Sequence, residues 1–307
     1  MAENGTAQTV GPDDAEGAGT GVFSAPAREL FAARRGDAVA DPADVDASAT
    51  PGYTGGKAQG KQDLADRADV LADLQELLFA QSTREAPSGE VPSLLLVIQG
   101  MDTAGKGGIM RHVIGAMDPQ GVHLHAFKAP TAEERAHDFL WRIRPHLPRP
   151  GRVSVFDRSH YEDVLVHRVR ELSPLAEVEE RYGAIREFES SVRAAGTRIV
   201  KVMLRISAEE QAERLLARLD DPTKHWKFNE GDLDDRAYWD EYMDAYRIAI
   251  ERTDTEDAPW FVVPADRKWF ARLAVQQLLI ETLQGLDLDW PEADFDVEAA
   301  RRRLLAG

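Results

Sequence analysis

The sequence predicts a three-layer α/β fold, in which a parallel β-sheet is covered by helices on both faces. Short apolar runs alternate with stretches of helical periodicity from about Val91 onward, which is typical of parallel sheets. A glycine-rich turn joins the first strong apolar run to a helix. Charged residues follow several of the apolar runs, at the strand ends where such sheets bind ligands. One site, built from several loops, is therefore expected.

The predicted strands are apolar runs bounded by turn residues. They cover residues 94–99, 123–127, 153–156, 199–206 and 259–263. The predicted helices carry apolar side chains at helical spacing or begin at a capping sequence such as Thr131-Ala-Glu-Glu134. They cover residues 63–80, 109–117, 131–144, 161–168, 178–194, a long stretch after Ser207, 232–252, a stretch ending near 283, and 296–305.

Residues 1–60 differ in composition from the rest of the chain. They hold 10 of the 23 glycines and few large apolar residues, so we expect a flexible extension. One domain is predicted over residues 61–290, followed by a C-terminal tail at 291–307.

The overall composition excludes several classes of protein. The chain has no cysteine, which excludes disulfides, thiolate metal sites and a cysteine nucleophile. We see no signal-peptide pattern and no apolar run of about 18 residues, so we expect a cytoplasmic protein that does not bind membranes.

The net charge of −17 argues against a nucleic-acid binder. Yet residues 101–170 hold 11 Lys/Arg and 8 Asp/Glu, a local balance of +3. A basic centre in an acidic body suits an anionic substrate held in a cleft. Alternatively, the negative charge outside residues 101–170 is simply that of an ordinary solvated acidic surface.

The glycine-rich turn has the spacing G-x-x-x-x-G-K of a phosphate-binding P-loop, from Gly100 to Lys106. Backbone N–H groups around Gly105, Gly107 and Gly108 would surround an anion, and the lysine adds a full positive charge. The alternative is a glycine-rich turn without a ligand. A Ser or Thr that would hold Mg²⁺ is missing after the lysine. Asp102 is either its substitute or a turn residue that bonds its own backbone.

A second group of candidates follows the predicted strand at 153–156. Asp157 is placed to hold Mg²⁺ directly or through water, and Arg158 to clamp a phosphate. Helix capping is the alternative, but it explains only one of the two residues. Glu162 is either a site carboxylate or a favourable charge in the first helical turn.

Basic residues follow the fourth predicted strand. Arg214 and Arg218 are four positions apart and share one helix face, and Lys224 and Lys227 follow in a loop. Helix, basic loop and helix over about 207–252 would form a mobile lid over a phosphate site. A solvated basic helix face is the alternative. Of the basic residues near the end of the second predicted strand, only Lys128 is placed where a strand-end ligand would bind.

Four segments together resemble the signature motifs of the polyphosphate kinase 2 family. They are GMDTAGKGG at 100–108, FDRSHYEDVLV at 156–166, DPTKHWKF at 221–228 and PWFVVPAD at 259–266. The resemblance extends over about 60–290, in the family's order. It implies a thymidylate-kinase-like P-loop fold, and Mg²⁺-dependent phosphoryl transfer between inorganic polyphosphate and a nucleotide, with Mn²⁺ as an alternative ion.

The resemblance also implies roles for single residues. Lys106 would bind the transferred phosphate, and Asp102 and Asp157 would hold metal or orient the attacking phosphate. The residues that would bind phosphates are Arg158, Arg214, Arg218 and Lys227.

The form SHYEDVL resembles family members that phosphorylate nucleoside monophosphates, and diphosphates as well. The expected acceptors are therefore AMP and/or ADP, with GMP and GDP as further candidates, and the expected assembly is a homo-oligomer. Two other functions stay open: an ATP-dependent nucleotide or small-molecule kinase, and a nucleotide-binding regulator without catalysis.

Overall fold

The computed structural model describes residues 22–36, 38–83 and 91–306. Its centre is a five-stranded sheet in which every neighbouring pair of strands is parallel. The strands are β3 (Ser93–Gln99), β4 (Val122–Ala126), β5 (Val153–Asp157), β6 (Thr197–Arg205) and β7 (Trp260–Pro264), and their order across the sheet is β4-β5-β3-β6-β7. A short antiparallel hairpin precedes them, formed by β1 (Arg34–Arg35) and β2 (Ala38–Val39).

Every residue of the central strand β3 is buried, and most of them are apolar. It pairs with β5 from Leu94 to Ile98 and with β6 over its whole length. Each predicted strand is present within two residues of its expected ends. The loops after β3, β4, β5 and β7 therefore meet at one edge of the sheet.

Helices cover both faces of this sheet, as predicted. They are α1 (Ala27–Leu30), α2 (Lys57–Asp66), α3 (Ala68–Gln81), α4 (Lys106–His112), α5 (Glu162–Val169), α6 (Leu175–Ala194), α7 (Ala208–Leu219), α8 (Gly231–Arg236), α9 (Trp239–Thr253), α10 (Lys268–Gln284) and α11 (Val297–Ala306). Helices α1 to α4 contact α10, whereas α5, α6 and α9 contact one another. The α/β fold in three layers is confirmed.

The prediction of a flexible extension is wrong for residues 22–60. Phe23, Phe31 and Tyr53 are buried, and their rings pack edge-on or tilted against Phe270. The segment also covers the edge strand β7, since the N–H of Val262 donates to the carbonyl of Phe31. A few aromatic residues are enough to hold this segment on the core, because each of them buries a large apolar area. Residues 1–21 lie outside the described part of the chain.

The predicted helix at 131–144 does not form. The capping sequence adopts its reciprocal geometry: the N–H of Thr131 donates to Glu134 Oε2 at 2.6 Å, and the N–H of Glu134 donates to Thr131 Oγ1 at 3.2 Å. Only 3₁₀ turns follow, at Glu134–Ala136 and Arg144–His146. The segment lacks a continuous apolar face, so packing favours separate turns over a helix.

Of three further predicted helices, two are each divided into two helices and one ends early. Residues 63–80 lie in α2 and α3, and residues 232–252 lie in α8 and α9. The helix at 109–117 ends early, because α4 gives way to the 3₁₀ turn Ile114–Ala116. In the part of the chain that the structure describes, no helix combines the length and apolarity needed to cross a membrane.

Candidate active site

The loop between β3 and α4 is forced into an unusual backbone path. Gly100 has φ +149°, and a Cβ there would lie 2.8 Å from the carbonyl oxygen of Leu204. Gly105 has φ +119°, so only glycine adopts these two conformations without strain. Lys106 begins α4, and its Nζ donates to the carbonyl of Gly100 at 2.6 Å. The lysine is therefore held across the mouth of the loop.

Consecutive backbone donors at the start of α4 are left for a ligand. Within the described residues, the N–H groups of Gly105, Lys106 and Gly107 find no acceptor, whereas that of Gly108 bonds to the carbonyl of Gly105. Consecutive free N–H groups around a positive side chain form an anion-binding concavity.

Arg158 joins the end of β5 to this loop. Its φ of +63° is unusual for a residue with a side chain, and its Nη2 lies 3.1 Å from Asp102 Oδ1. Burial lowers the pKa of Arg158, but the carboxylates of Glu162 and Asp102 outweigh burial and raise it. The strained arginine therefore stays charged beside the loop.

The carboxylate of Asp157 is only half-buried and accepts no hydrogen bond from any described group. It lines the same cavity as Asp102. A free carboxylate beside a second one is a donor set that a hard divalent cation prefers.

Two cavities meet at this edge of the sheet. The larger has a volume of about 730 Å³ and the smaller about 220 Å³, and both are lined by Asp102, Phe127, Lys128 and Arg158. Of the thirteen predicted site residues, Glu162 lines only the smaller cavity. The other twelve line the larger one: Asp102, Gly105, Lys106, Gly107, Gly108, Lys128, Asp157, Arg158, Arg214, Arg218, Lys224 and Lys227.

Arg214 reaches this cavity but has different partners from those predicted. Its Nε donates to Glu210, its Nη1 to the carbonyls of Thr103 and Ala104, and its Nη2 to those of Ala265 and Asp266, at 2.7–3.1 Å. These bonds use all five N–H groups of the guanidinium. Arg214 therefore ties the P-loop to the loop after β7, and no donor is left for a phosphate.

The other predicted lid cations are less constrained. Arg218 Nη1 lies 3.1 Å from Asp232 Oδ2, and Lys224 Nζ lies 2.7 Å from Asp221 Oδ2 on the exposed loop. Lys227 Nζ lies 4.9 Å from the ring centroid of the exposed Trp226. Burial and then the charge of Asp102 raise the pKa of Asp232 to about 6, although Arg218 opposes this.

Sequence reasoning missed three cations of the larger cavity. Arg111 lies on α4, and Lys268 and Arg272 lie on α10. Burial and then the positive charge of Arg214 lower the pKa of both α10 residues. Their spacing of four positions indicated a shared helix face, but nothing local indicated that this face meets the P-loop.

The smaller cavity is more apolar. Phe127, Tyr242 and Tyr246 line it together with Glu162. Burial raises the pKa of Glu162, and the charges of Arg158 and Lys106 partly offset this. The two tyrosines, at helical spacing on α9, are typical of core positions, so the sequence did not single them out.

His160, which lies between Arg158 and Glu162 in the sequence, lines neither cavity. It is fully buried, with Nε2 3.3 Å from Glu189 Oε1.

The family model described as polyphosphate kinase 2 matches residues 57–289. An AMP/ADP-polyphosphate phosphotransferase of Meiothermus ruber is 44% identical over 254 residues, which cover 83% of this chain and 90% of that protein. An ADP-polyphosphate phosphotransferase of Rhodopseudomonas palustris is 45% identical over 254 residues, which cover 79% and 84%.

Among solved structures, polyphosphate kinase 2 from Arthrobacter aurescens matches with a TM-score of 0.88 and 58% identity. The match covers 93% of this chain and 98% of that one. With the P-loop, the strand-end Asp-Arg pair and the basic segment after α7 on one scaffold, this chain belongs to the polyphosphate kinase 2 family.

Proposed function

We propose that this chain transfers a phosphoryl group between inorganic polyphosphate and a purine nucleotide. The acceptors would be AMP and/or ADP, with GMP and GDP as further candidates, and the products would be nucleoside di- or triphosphates. The observation that carries the proposal is the pair of cavities that meet at Asp102, Lys128 and Arg158. One cavity is strongly basic and the other is lined by aromatic residues.

The larger cavity suits an extended polyanion. Its cations come from the P-loop, the lid and α10, so they are spread along the cavity and not gathered at one point. Burial, and after it repulsion from Arg214, lowers the pKa of Lys268 and Arg272, and a bound anion would offset that repulsion. A chain of phosphates could contact several of these groups at once.

The smaller cavity suits the nucleotide. Phe127, Tyr242 and Tyr246 offer apolar surface for a base or ribose, and Arg158 and Lys128 lie at the side shared with the larger cavity. Arg142 Nη1 donates to the carbonyl of Lys128 at 2.8 Å and so fixes that wall. The relative from Meiothermus ruber carries AMP and ADP in its name, which supports the choice of acceptor.

Asp102 and Asp157 would hold Mg²⁺, or Mn²⁺ in its place. The fit rests on the free Asp157 carboxylate and on the absence of a hydroxyl after Lys106, where Gly107 stands. When bound, the ion would neutralise phosphate charge.

The reaction proposed is an in-line displacement. A phosphate oxygen of the nucleotide attacks the terminal phosphorus of polyphosphate, an O–P bond forms, and the bond to the next bridging oxygen breaks. The shortened polyphosphate leaves with the bonding electrons. Because the attacking oxygen is already anionic, no general base is needed. Lys106 and Arg158 would act by positioning phosphates and neutralising charge, and closure of the lid would exclude water.

The test is to incubate the purified full chain with Mg²⁺ and long-chain polyphosphate, with AMP, ADP, GMP or GDP in turn and no ATP. Chromatography of the products should show ADP or ATP formed from AMP. Lys106→Ala is the control for contaminating activity and should form no product. Phosphorylation that appears only with ATP as donor would indicate an ordinary kinase, and nucleotide binding without any turnover would indicate a regulator.

A further inference from the structure

Three histidines cluster at the outer edge of the sheet, outside both cavities. His123 and His125 are two positions apart on β4, so their side chains lie on one face of this edge strand. His146 comes from the 3₁₀ turn Arg144–His146. One ring nitrogen from each residue lies within 4.8 Å of the other two.

The distances between the nitrogens are those of ligands that share one ion. His123 Nε2 and His146 Nδ1 are 3.2 Å apart. Two imidazole nitrogens bound tetrahedrally to zinc at about 2.0–2.1 Å lie about 3.3 Å from each other. His123 and His146 already have this separation, whereas the rings of His125 and His146, stacked with centroids 3.5 Å apart, would have to move apart to share one ion. His123 is exposed and the other two are partly buried, so an ion could enter from solvent.

The packing of the rings favours uncharged imidazoles, which is the form that binds metals. The rings of His125 and His146 are stacked, with centroids 3.5 Å apart. Burial and then the neighbouring imidazoles lower the pKa of both residues. For His125 and His146 this favours the neutral imidazole, whose nitrogen lone pair is available for a cation.

We propose that His123, His125 and His146 bind one borderline-soft transition-metal ion, best matched by Zn²⁺, with water as the fourth ligand. Three neutral imidazoles suit zinc, nickel or copper, whereas Mg²⁺ prefers oxygen ligands. This site is thus chemically distinct from the carboxylates Asp102 and Asp157. It does not depend on the proposed phosphoryl transfer.

The bound ion would join the two ends of one loop. β4 precedes residues 127–143 and the turn with His146 follows them, so a shared ion closes this segment. Phe127 links the cluster to the substrate cavities, because its ring packs edge-on against His125 with centroids 4.3 Å apart. Lys128, the next residue, stands at the wall that both cavities share.

The test is a calorimetric titration of the metal-free full chain with Zn²⁺ in excess Mg²⁺, using protein purified without a histidine tag. One Zn²⁺ should bind per chain. His123→Asn and His146→Asn should each weaken binding by more than about 100-fold, since partners that only orient a ligand are already worth about 10–100-fold. His137→Asn is the matched control: it lies on the same loop, stacks on Trp141, and should bind like the wild type.

A second measurement needs no variant. Co²⁺ added to the wild-type chain should give the intense visible absorption of a four-coordinate ion. No Zn²⁺ binding in excess Mg²⁺, equal binding by the cluster variants and the wild type, or a six-coordinate cobalt spectrum would each overturn the proposal. None of these readouts involves nucleotide or polyphosphate, so failure here is separate from failure of the proposed activity.

Discussion

Replacing Arg214 by lysine tests whether this residue positions the P-loop or binds substrate. The guanidinium donates five hydrogen bonds, one to Glu210 on its own helix and four that join Thr103 and Ala104 of the P-loop to Ala265 and Asp266 after β7. Lysine keeps the charge, but its single nitrogen can make at most three of these bonds. A hydrogen bond from a charged group is worth about 1.5–3 kcal/mol, so losing two of them should lower the free energy of unfolding by about 3–6 kcal/mol.

Arg218→Lys is the matched control. Arg218 lies one helical turn further along α7, with 23% of its side chain exposed, and makes one ion pair with Asp232. Replacing Arg218 by lysine should lower the free energy of unfolding by less than about 1 kcal/mol, since a partly exposed ion pair is weak. Urea unfolding of both variants measures the difference.

Steady-state kinetics of the same two variants distinguish a residue that positions the P-loop from one that binds substrate. Arg214→Lys should lower kcat and leave the KM for polyphosphate nearly unchanged, because the P-loop is displaced but no phosphate contact is lost. Arg218→Lys should raise that KM. If Arg214→Lys unfolded like the wild type and raised the KM for polyphosphate, Arg214 would be a direct phosphate ligand and the structural reasoning would be refuted.

Three further predictions concern a carboxylate at the site, the lid and the N-terminal segment. Asp157→Asn should lower turnover at least about 100-fold with little change in the urea midpoint; full turnover would rule out its metal role. Because the pKa of Asp232 is raised to about 6, its charged form costs stability above that pH. Asp232→Asn should therefore be more stable than the wild type by about 1–2 kcal/mol at pH 7.5, after discounting for solvent screening. The gain should disappear below about pH 4, and a gain independent of pH would contradict the assignment. Phe31→Ala should lower the free energy of unfolding by about 3–5 kcal/mol; a loss below about 1 kcal/mol would show that the N-terminal segment is not part of the core.

The strands and the P-loop could be predicted because their signals are local. The apolar run at 94–99 has the length of a buried strand and is followed directly by a glycine-rich turn, and the backbone path of that turn requires Gly100 and Gly105. Asp157 and Arg158 were found in the same way, as polar residues directly after an apolar run. The two cavities bring these residues together as predicted.

The two main failures both concern packing: one segment lacks an apolar face, and the other packs against a distant part of the chain. The capping sequence at Thr131 forms as expected, yet the residues after it do not continue as a helix. Residues 22–60 lack enough apolar residues for a core of their own, but Phe23 and Phe31 pack onto α10, more than 200 residues later. Composition over a window of the sequence does not contain such contacts.

The sequence by itself determined the order of strands and helices, the P-loop and the identity of the charged groups around it, because hydrophobic periodicity and glycine spacing act within a few residues. Only the tertiary structure decided which of these groups are free to meet a ligand. Arg214 has the same spacing signal as Arg218, yet four carbonyl oxygens from other segments and the carboxylate of Glu210 occupy its donors. Lys268 and Arg272 reach the site because β7 lies beside β6 in the sheet. Hydrogen bonds and charges act over a few ångströms in space, and the fold alone sets which residues come that close.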